Sequence, residues 1–348
     1  MRKRVTARDV AESAGVSRTT VSFVLNDVPG MRISEQTRLR VLQAADQLGY
    51  QPNISAQRLV TGQTRILAYV ERQTPEWAFA DAFLPQVLRG VHDAAIASNH
   101  EVLFAPIPLE NGAKRCKQLL TGGHVDGIIL SGPRTDDLEL RKLLEDDPPM
   151  VLQGQWPGVS AASVDIDNEL AARIAVQHLV DLGHKRLGMI VHAPLTYTAA
   201  AARLKGYEQV LEAASLHDSI KRVVVADFTP ASGEIAMEKL CANGSTPTAV
   251  FASSDTVAIG AMQAAKRLGY RIPQDIAFVG FDDIPMAVYH DPPLTTICLP
   301  AYGLGWAAAD LLIRLISGDS VRNDNILLKS ELIVRASCGA LVTKEHFR

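Results

Sequence analysis

Apolar and polar positions change their spacing as the chain proceeds. Over the first fifty residues they recur at helical intervals in short blocks: Val10 with Ala11; Val16, Val21 and Leu25; then Leu39, Val41, Leu42, Ala45 and Leu48. This predicts three short helices. Thr6, Ser17 and Ser34 stand where N-caps are wanted, and Asp9, three residues after Thr6, completes a capping box. Gly15 supplies the turn between the first two helices and Gly49 ends the third, at positions where a positive φ is cheap only for glycine. Pro52 bars helix at Gln51, Asn53 can cap a further short helix over about 53–61, and Gly62 can stop it. Such a helix is too short to stand alone in water and needs a partner.

From Thr64 the pattern becomes an alternation. Apolar runs at Ile66–Val70, Glu101–Pro106 and Val125–Ser131 flank helical patterns over Leu84–Ser98 and Ala113–Thr121. Beyond Val164 the alternation resumes with helices over Asn168–Leu182, Ala200–Ala214, Ser232–Asn243 and Val257–Leu268. Between them lie strands at Arg186–Val191, Val223–Ala226, Ala249–Ser253 and Ile276–Phe281. Strands alternating with helices predict parallel sheets covered on both faces, and two successive sets predict two lobes. The fold class expected is α/β behind an all-α head.

Charge sharpens this division. The chain of 348 residues has a formal net charge of only −3, yet residues 1–62 carry nine basic side chains against five acidic ones. A basic head on an acidic body suits a polyanion at one end. The second helix leaves Arg18, Thr19, Ser22 and Phe23 facing outward. Arginine can bond a guanine edge or a phosphate, the hydroxyls can bond either, and Phe23 can pack on a thymine methyl. Two short helices joined by a tight turn present a recognition helix to the DNA major groove in this way.

In the body, ligands of parallel sheets bind beyond the carboxyl ends of the strands. Those ends place Phe83 and Leu84 after the first strand, and Arg203 in the helix after Met189–Val191. Phe228 comes after Val223–Asp227, Asp255 after Val250–Ser254, and Asp282 with Asp283 after Ala277–Phe281. An arginine, carboxylates and aromatic faces suit a small polar molecule such as a sugar.

The run Asp9-Val-Ala, Ala14-Gly-Val-Ser17 and Thr20-Val-Ser22, followed by Tyr50-x-Pro52-Asn53 and Ala56-x-x-Leu59, resembles the LacI/GalR (lactose-repressor) family. The body has matching landmarks in Val164-Asp-Ile-Asp167-Asn168, Leu182-Gly-His184, Arg203-Leu-Lys-Gly206-Tyr207, Ser254-Asp255-x-x-Ala258, Val279-Gly-Phe-Asp282-Asp283 and Leu294-Thr-Thr296. The resemblance implies a helix-turn-helix head (1–62) joined by a hinge helix (about 53–61) to a two-lobed, periplasmic-binding-protein-like (type I) parallel-sheet body (64–340). Its N-terminal lobe would hold about 64–163 and 296–323, and its C-terminal lobe about 164–295 and 324–340. DNA contacts would come from Thr6, Arg8, Ser17, Arg18, Thr19, Ser22, Phe23 and Asn26, and from Asn53, Ala56 and Leu59 in the hinge, with Leu59 as a minor-groove wedge. The effector would meet Phe83, Leu84, Arg203, Phe228, Asp255 and Asp282. His192 and Gly154-Gln155 depart from the family pattern, which often has glycine at the first place and an Asp-Arg pair at the second. His184 is read as structural.

The function implied is that of a sequence-specific transcriptional repressor, binding a palindromic operator as a homodimer under control of a sugar or sugar derivative. Four widely spaced cysteines (Cys116, Cys241, Cys298 and Cys338) show no metal-ligand spacing, and neither metal nor cofactor is expected. Neither a secretory signal nor a membrane-length apolar run is read, so a cytoplasmic location is expected. A solute-binding protein of a transport system is the alternative, but it has no use for residues 1–62. An enzyme on a doubly wound fold would want a nucleotide loop or a nucleophile–base set, and none of these motifs is present.

Overall fold

A computed structural model describes residues 5–25, 30–50, 63–80, 82–242 and 246–340. Asn26, Asn53, Ala56 and Leu59 lie outside the described residues. The chain divides between Thr64 and Arg65 into two compact units.

The head holds helices Ala7–Ala14, Arg18–Leu25 and Glu35–Leu48. The Asp9 carboxylate accepts from the backbone N–H and the hydroxyl of Thr6, both at 2.7 Å. Ser17 Oγ accepts from Thr20 N–H at 3.0 Å, and Ser34 Oγ from Thr37 N–H at 3.2 Å. Gly15 and Gly49 take φ of 65° and 61°, the left-handed geometry that closes a helix end. Val10, Ala11, Ala14, Val21, Val24, Val41, Ala44 and Ala45 form the core.

Two details differ from the apolar pattern. In the second helix Val24 joins Val21 in the core while Leu25 only packs against its edge. In the third, the buried stripe is Val41, Ala44 and Ala45; Leu39, Leu42 and Leu48 are 57%, 44% and 37% exposed. Small side chains at i, i+3 and i+4 let this helix sit close to the first two, so its leucines are turned toward solvent.

The body contains two sheets of the same plan. Strands β1 (Ile66–Glu71), β2 (Glu101–Pro106), β3 (Gly127–Ser131), β4 (Met150–Gln153) and β5 (Ala162–Ile166) form the first with β11 (Asn325–Leu328), in the order β11-β5-β4-β3-β1-β2 and wholly parallel. The second has β6 (Leu187–Val191), β7 (Val223–Val225), β8 (Ala249–Ala252), β9 (Ala277–Asp282), β10 (Thr295–Cys298) and β12 (Glu331–Ile333), in the order β12-β10-β9-β8-β6-β7. Only β12 runs antiparallel to its neighbour. Central strands β3, β6 and β8 are buried throughout, the pattern of parallel strands covered on both faces.

Strand pairing moves each predicted lobe crossing toward the C-terminus. β5 belongs to the first sheet, so the chain leaves that lobe at Asp167 instead of 163/164. β10 pairs with β9, placing the return at Leu299–Pro300 instead of 295/296. β11 pairs with β5 and β12 with β10, so the last crossing falls at Lys329–Ser330 instead of 323/324. The first expected crossing falls at Val164, the middle of a strand whose pairing is invisible in one sequence. The helices Pro75–Ala80, Leu138–Glu145 and Ala301–Ile316 were not predicted. Among the described residues, no helix is long and apolar enough to cross a membrane, and no cluster of three metal-ligating side chains occurs.

Candidate functional site

In the head, Arg18 and Thr19 are exposed on the second helix, while Ser22 and Phe23 beside them are half-buried. Arg8, on the first helix, is exposed and pairs with Glu12 at 3.0 Å one turn on. Thr6 and Ser17 are engaged as helix caps. The exposed polar pair Arg18–Thr19 therefore starts the helix that the fold leaves open on one side.

In the body, strand order reverses beside β1 in the first sheet and beside β6 in the second. A crevice opens at such a reversal, at the carboxyl ends of the strands. Here the two crevices face each other, and the cleft between them holds about 800 Å³ of space, counting its open mouth. Glu71, Gln73, Trp77 and Phe83 line it from the first lobe; His192, Tyr197, Arg203, Phe228, Ser254 and Asp282 line it from the second. The recess behind adds Tyr69, Leu84, Gln153, Gly154, Asp165 and Asn168.

Arg203 is only 5% exposed. Its Nε donates to Asn168 Oδ1 at 2.9 Å and its Nη1 to the Ser253 carbonyl at 2.6 Å. The guanidinium lies 3.6 Å from the Phe281 ring centroid, and Asp282 Oδ1 is 3.7 Å from Nη1. Burial lowers the Arg203 pKa while Asp282 opposes the shift; a guanidinium so placed keeps its charge. Asn168 in turn donates to both Asp165 oxygens, at 3.0 and 3.1 Å. Burial raises the pKa of that carboxyl. The result is a fixed polar floor under an aromatic wall, where Trp77, Tyr197 and His192 stand round Phe228 at centroid distances of 6.2, 5.6 and 5.3 Å.

Phe228, Asp282 and Asp283 have φ of 70°, 118° and 57°. Positive φ in such residues costs about 1–3 kcal/mol each and persists only where the surroundings impose it. At Asp282–Asp283 the imposing group is Asp255. Asp255 is fully buried and does not line the cleft. Its Oδ1 accepts from Thr296 Oγ1 at 2.6 Å and its Oδ2 from Ile284 N–H at 3.0 Å. Arg335 holds Asp283 from the far side at 2.7 Å. A Cβ at Gly280 would lie 2.1 Å from Asp255 Oδ1, so only glycine lets the carboxylate sit there. Burial, and then the nearby charge of Asp282, push the Asp255 pKa well above the ordinary carboxylate range.

The structure thus brings Phe83, Leu84, Arg203, Phe228 and Asp282 to one cleft and sets Asp255 behind it, correcting its expected place beside the ligand. Trp77, Tyr197, Glu71 and Ser254 were missed. The signal for Trp77 was present, since Thr74-Pro75-Glu76 is a helix start that carries an aromatic at its first turn. Gly154 has φ of 120° in the recess, and Gln155 N–H donates to Asp165 at 2.9 Å. His184 bonds Thr248 Oγ1 at 3.1 Å, away from the cleft.

A strap joins the lobes at one end of the cleft. Thr135 N–H donates to the Thr196 carbonyl at 2.8 Å, Arg134 Nη2 to Thr196 Oγ1 at 2.8 Å and Thr198 N–H to the Pro133 carbonyl at 3.2 Å. Arg134 and Tyr197 thereby form an isolated antiparallel bridge.

Comparison with known proteins agrees with this architecture. The profile described as "Bacterial regulatory proteins, lacI family" matches residues 6–53, and that of a periplasmic binding protein-like domain matches 176–338. The transcriptional regulator CelR of Thermobifida fusca is 35% identical over 97% of this chain and 99% of its own length. The transcriptional repressor CytR of Escherichia coli K12 is 34% identical over 97% of each. Among solved structures, a CelR–cellobiose complex is similar with 34% identity and a TM-score of 0.74, covering 96% of this chain and all of that one. A lac repressor dimer bound to operator and the anti-inducer ONPF matches with 28% identity and a TM-score of 0.84, covering 97% and 99%. This chain belongs to the LacI family of sequence-specific DNA-binding transcriptional regulators.

Proposed function

We propose that the protein is a repressor that binds an inverted-repeat operator as a homodimer, and that a sugar or sugar derivative in the interlobe cleft sets its affinity for that operator. The observation that carries this reading is Arg203 held beside Asp282 on the floor of an aromatic-walled cleft, in a chain whose head keeps Arg18 and Thr19 open to solvent. A guanidinium and a carboxylate side by side donate to and accept from vicinal hydroxyls, and aromatic faces cover the apolar side of a sugar ring. The CelR–cellobiose complex supports the ligand class, and the operator-bound lac repressor dimer supports the assembly.

In this reading Arg18, Thr19, Ser22 and Phe23 read bases, while Thr6, Arg8, Ser17 and Asn26 position the head on the backbone. Asn53, Ala56 and Leu59 belong to a hinge segment of residues 53–61 that acts at the centre of the operator, with Leu59 as the wedge in the minor groove. The effector works by changing the tilt of one lobe on the other, and that tilt sets the spacing of the paired hinges. A coupling of about 1–3 kcal/mol gives a change of about 5–150-fold in operator affinity.

The test uses the full chain. A thermal-shift screen of sugars identifies a ligand that stabilises it, and fluorescence anisotropy then measures operator affinity with and without that ligand. Arg203→Ala is expected to bind the operator as before and to lose the response. A normal response in that variant places the effector elsewhere.

A further inference from the structure

His192 follows β6 at the strand end where the order of the second sheet reverses, and its side chain lines the cleft while the residue is only 4% exposed. Its backbone N–H donates to Ser253 Oγ at 2.9 Å, and its ring Nδ1 lies 2.8 Å from the same oxygen. Ser253 is fully buried, so its hydroxyl hydrogen must find an acceptor inside the protein. Nδ1 is the acceptor its hydrogen bonds provide among the described residues. The hydroxyl therefore donates to Nδ1, and a neutral imidazole bonded in this way carries its own proton on Nε2.

Nε2 has no hydrogen-bond partner among the described residues, yet it is not sealed in the interior. Arg72 Nε is the buried side-chain polar atom found without a partner there. Nε2 thus borders the cleft. The rings of Tyr197 and Phe228 stand edge-to-face with the imidazole, at 5.6 and 5.3 Å and interplanar angles of 86° and 78°. They fix its plane and dry its surroundings.

The geometry points to His192 as a specificity-determining donor of the effector cleft, its Nε2–H reserved for a hydroxyl or carbonyl oxygen of an uncharged ligand. This rests on the effector reading of the cleft given above. A ligand presenting an amino group here would set two donors face to face in a dry site and be rejected. Burial, aided by the charge of Arg203, also drives the His192 pKa well below the ordinary imidazole value. The ring is a neutral donor throughout the physiological range.

Two measurements on the full chain test the assignment. Two-bond ¹H–¹⁵N spectra of the ¹⁵N-labelled protein are expected to show His192 with a protonated Nε2 and a bare Nδ1, and Ser253→Ala is expected to disturb that preference. A proton on Nδ1 in the wild type overturns the proposal. The second measurement is calorimetric binding of cellobiose, D-ribose and uridine to the wild type and to His192→Phe, which keeps a ring but no donor. Whichever probe binds the wild type should bind the variant about fivefold more weakly, the loss of one neutral hydrogen bond. Equal binding overturns the proposal, and the identity of the probe separates a sugar hydroxyl from a base carbonyl. Should none of the three bind either protein, it is the sugar reading that suffers, and the proton position alone decides for or against His192.

Discussion

Asp255 shows why a carboxylate at a strand end need not face the cleft. It follows β8 as a cleft residue would, but its two oxygens are spent on Thr296 and Ile284. Through Ile284 it shapes the turn that presents Asp282. Asp255→Leu leaves the buried Ile284 N–H unsatisfied and leaves the Thr296 hydroxyl only the longer bond to the Ile297 carbonyl, and is expected to cost about 2–5 kcal/mol of stability. Asp255→Asn keeps the shape and one of the two acceptor oxygens, so it should cost less than Asp255→Leu; chemical denaturation distinguishes the two. The buried His192 and three half-buried histidines make a second prediction. Burial lowers the pKa of His192, and of His178, His184 and His290. The unfolded imidazoles take up protons near pH 6.5 while the folded ones resist. Their contribution to stability is therefore complete above about pH 6.5 and is lost as the pH falls below it. The melting temperature should drop on going from pH 7 toward 5, with a shallower slope in His192→Gln. An equal slope in that variant removes His192 from the account.

At the scale of elements, the third helix of the head and the interlobe strap carry the arguments. Because Val41 is buried and Leu42 is not, Val41→Ala should accelerate hydrogen exchange across Glu35–Leu48, whereas Leu42→Gln should leave it nearly unchanged. Similar exchange in both would restore the leucine stripe to the core. The strap is held by Arg134 and Thr135 against Thr196. Arg134→Ala is expected to let the lobes separate, read as a larger radius of gyration by solution scattering in the absence of ligand. Much of this layer was legible in the sequence. The caps at Thr6, Ser17 and Ser34 are local chemistry, and central strands such as β3 and β8 announce themselves as apolar runs. Edge strands β11 and β12 are short and half-exposed, so they lack that signal. The lobe crossings depend on which strand pairs with which, a long-range property that no local pattern carries. The cleft was legible where residues sit at or follow strand ends, as Asp282 and Phe228 do, or lie on the helix after one, as Arg203 does. It was hidden where the contributing element is short, as with Trp77, or where the strap sets the residue, as with Tyr197.

For the whole molecule, the proposed function makes this LacI-family chain a device in which two binding equilibria are linked, and linkage is reciprocal. A ligand that alters operator affinity must see its own affinity altered by the operator to the same degree. The head's excess of basic residues predicts a steep fall of DNA affinity with salt. Leu59→Ala should reduce the preference for an inverted repeat over random duplex while leaving the salt slope in place; an unchanged preference removes the wedge. The most direct test is the affinity of the full chain for its selected inverted-repeat duplex, measured by anisotropy with and without the stabilising ligand, in the wild type and in Arg203→Ala. The account predicts a ligand-dependent change of about 5–150-fold in the wild type and none in the variant, with both proteins binding the duplex. No preference for any inverted repeat over random DNA, under either condition, would contradict it.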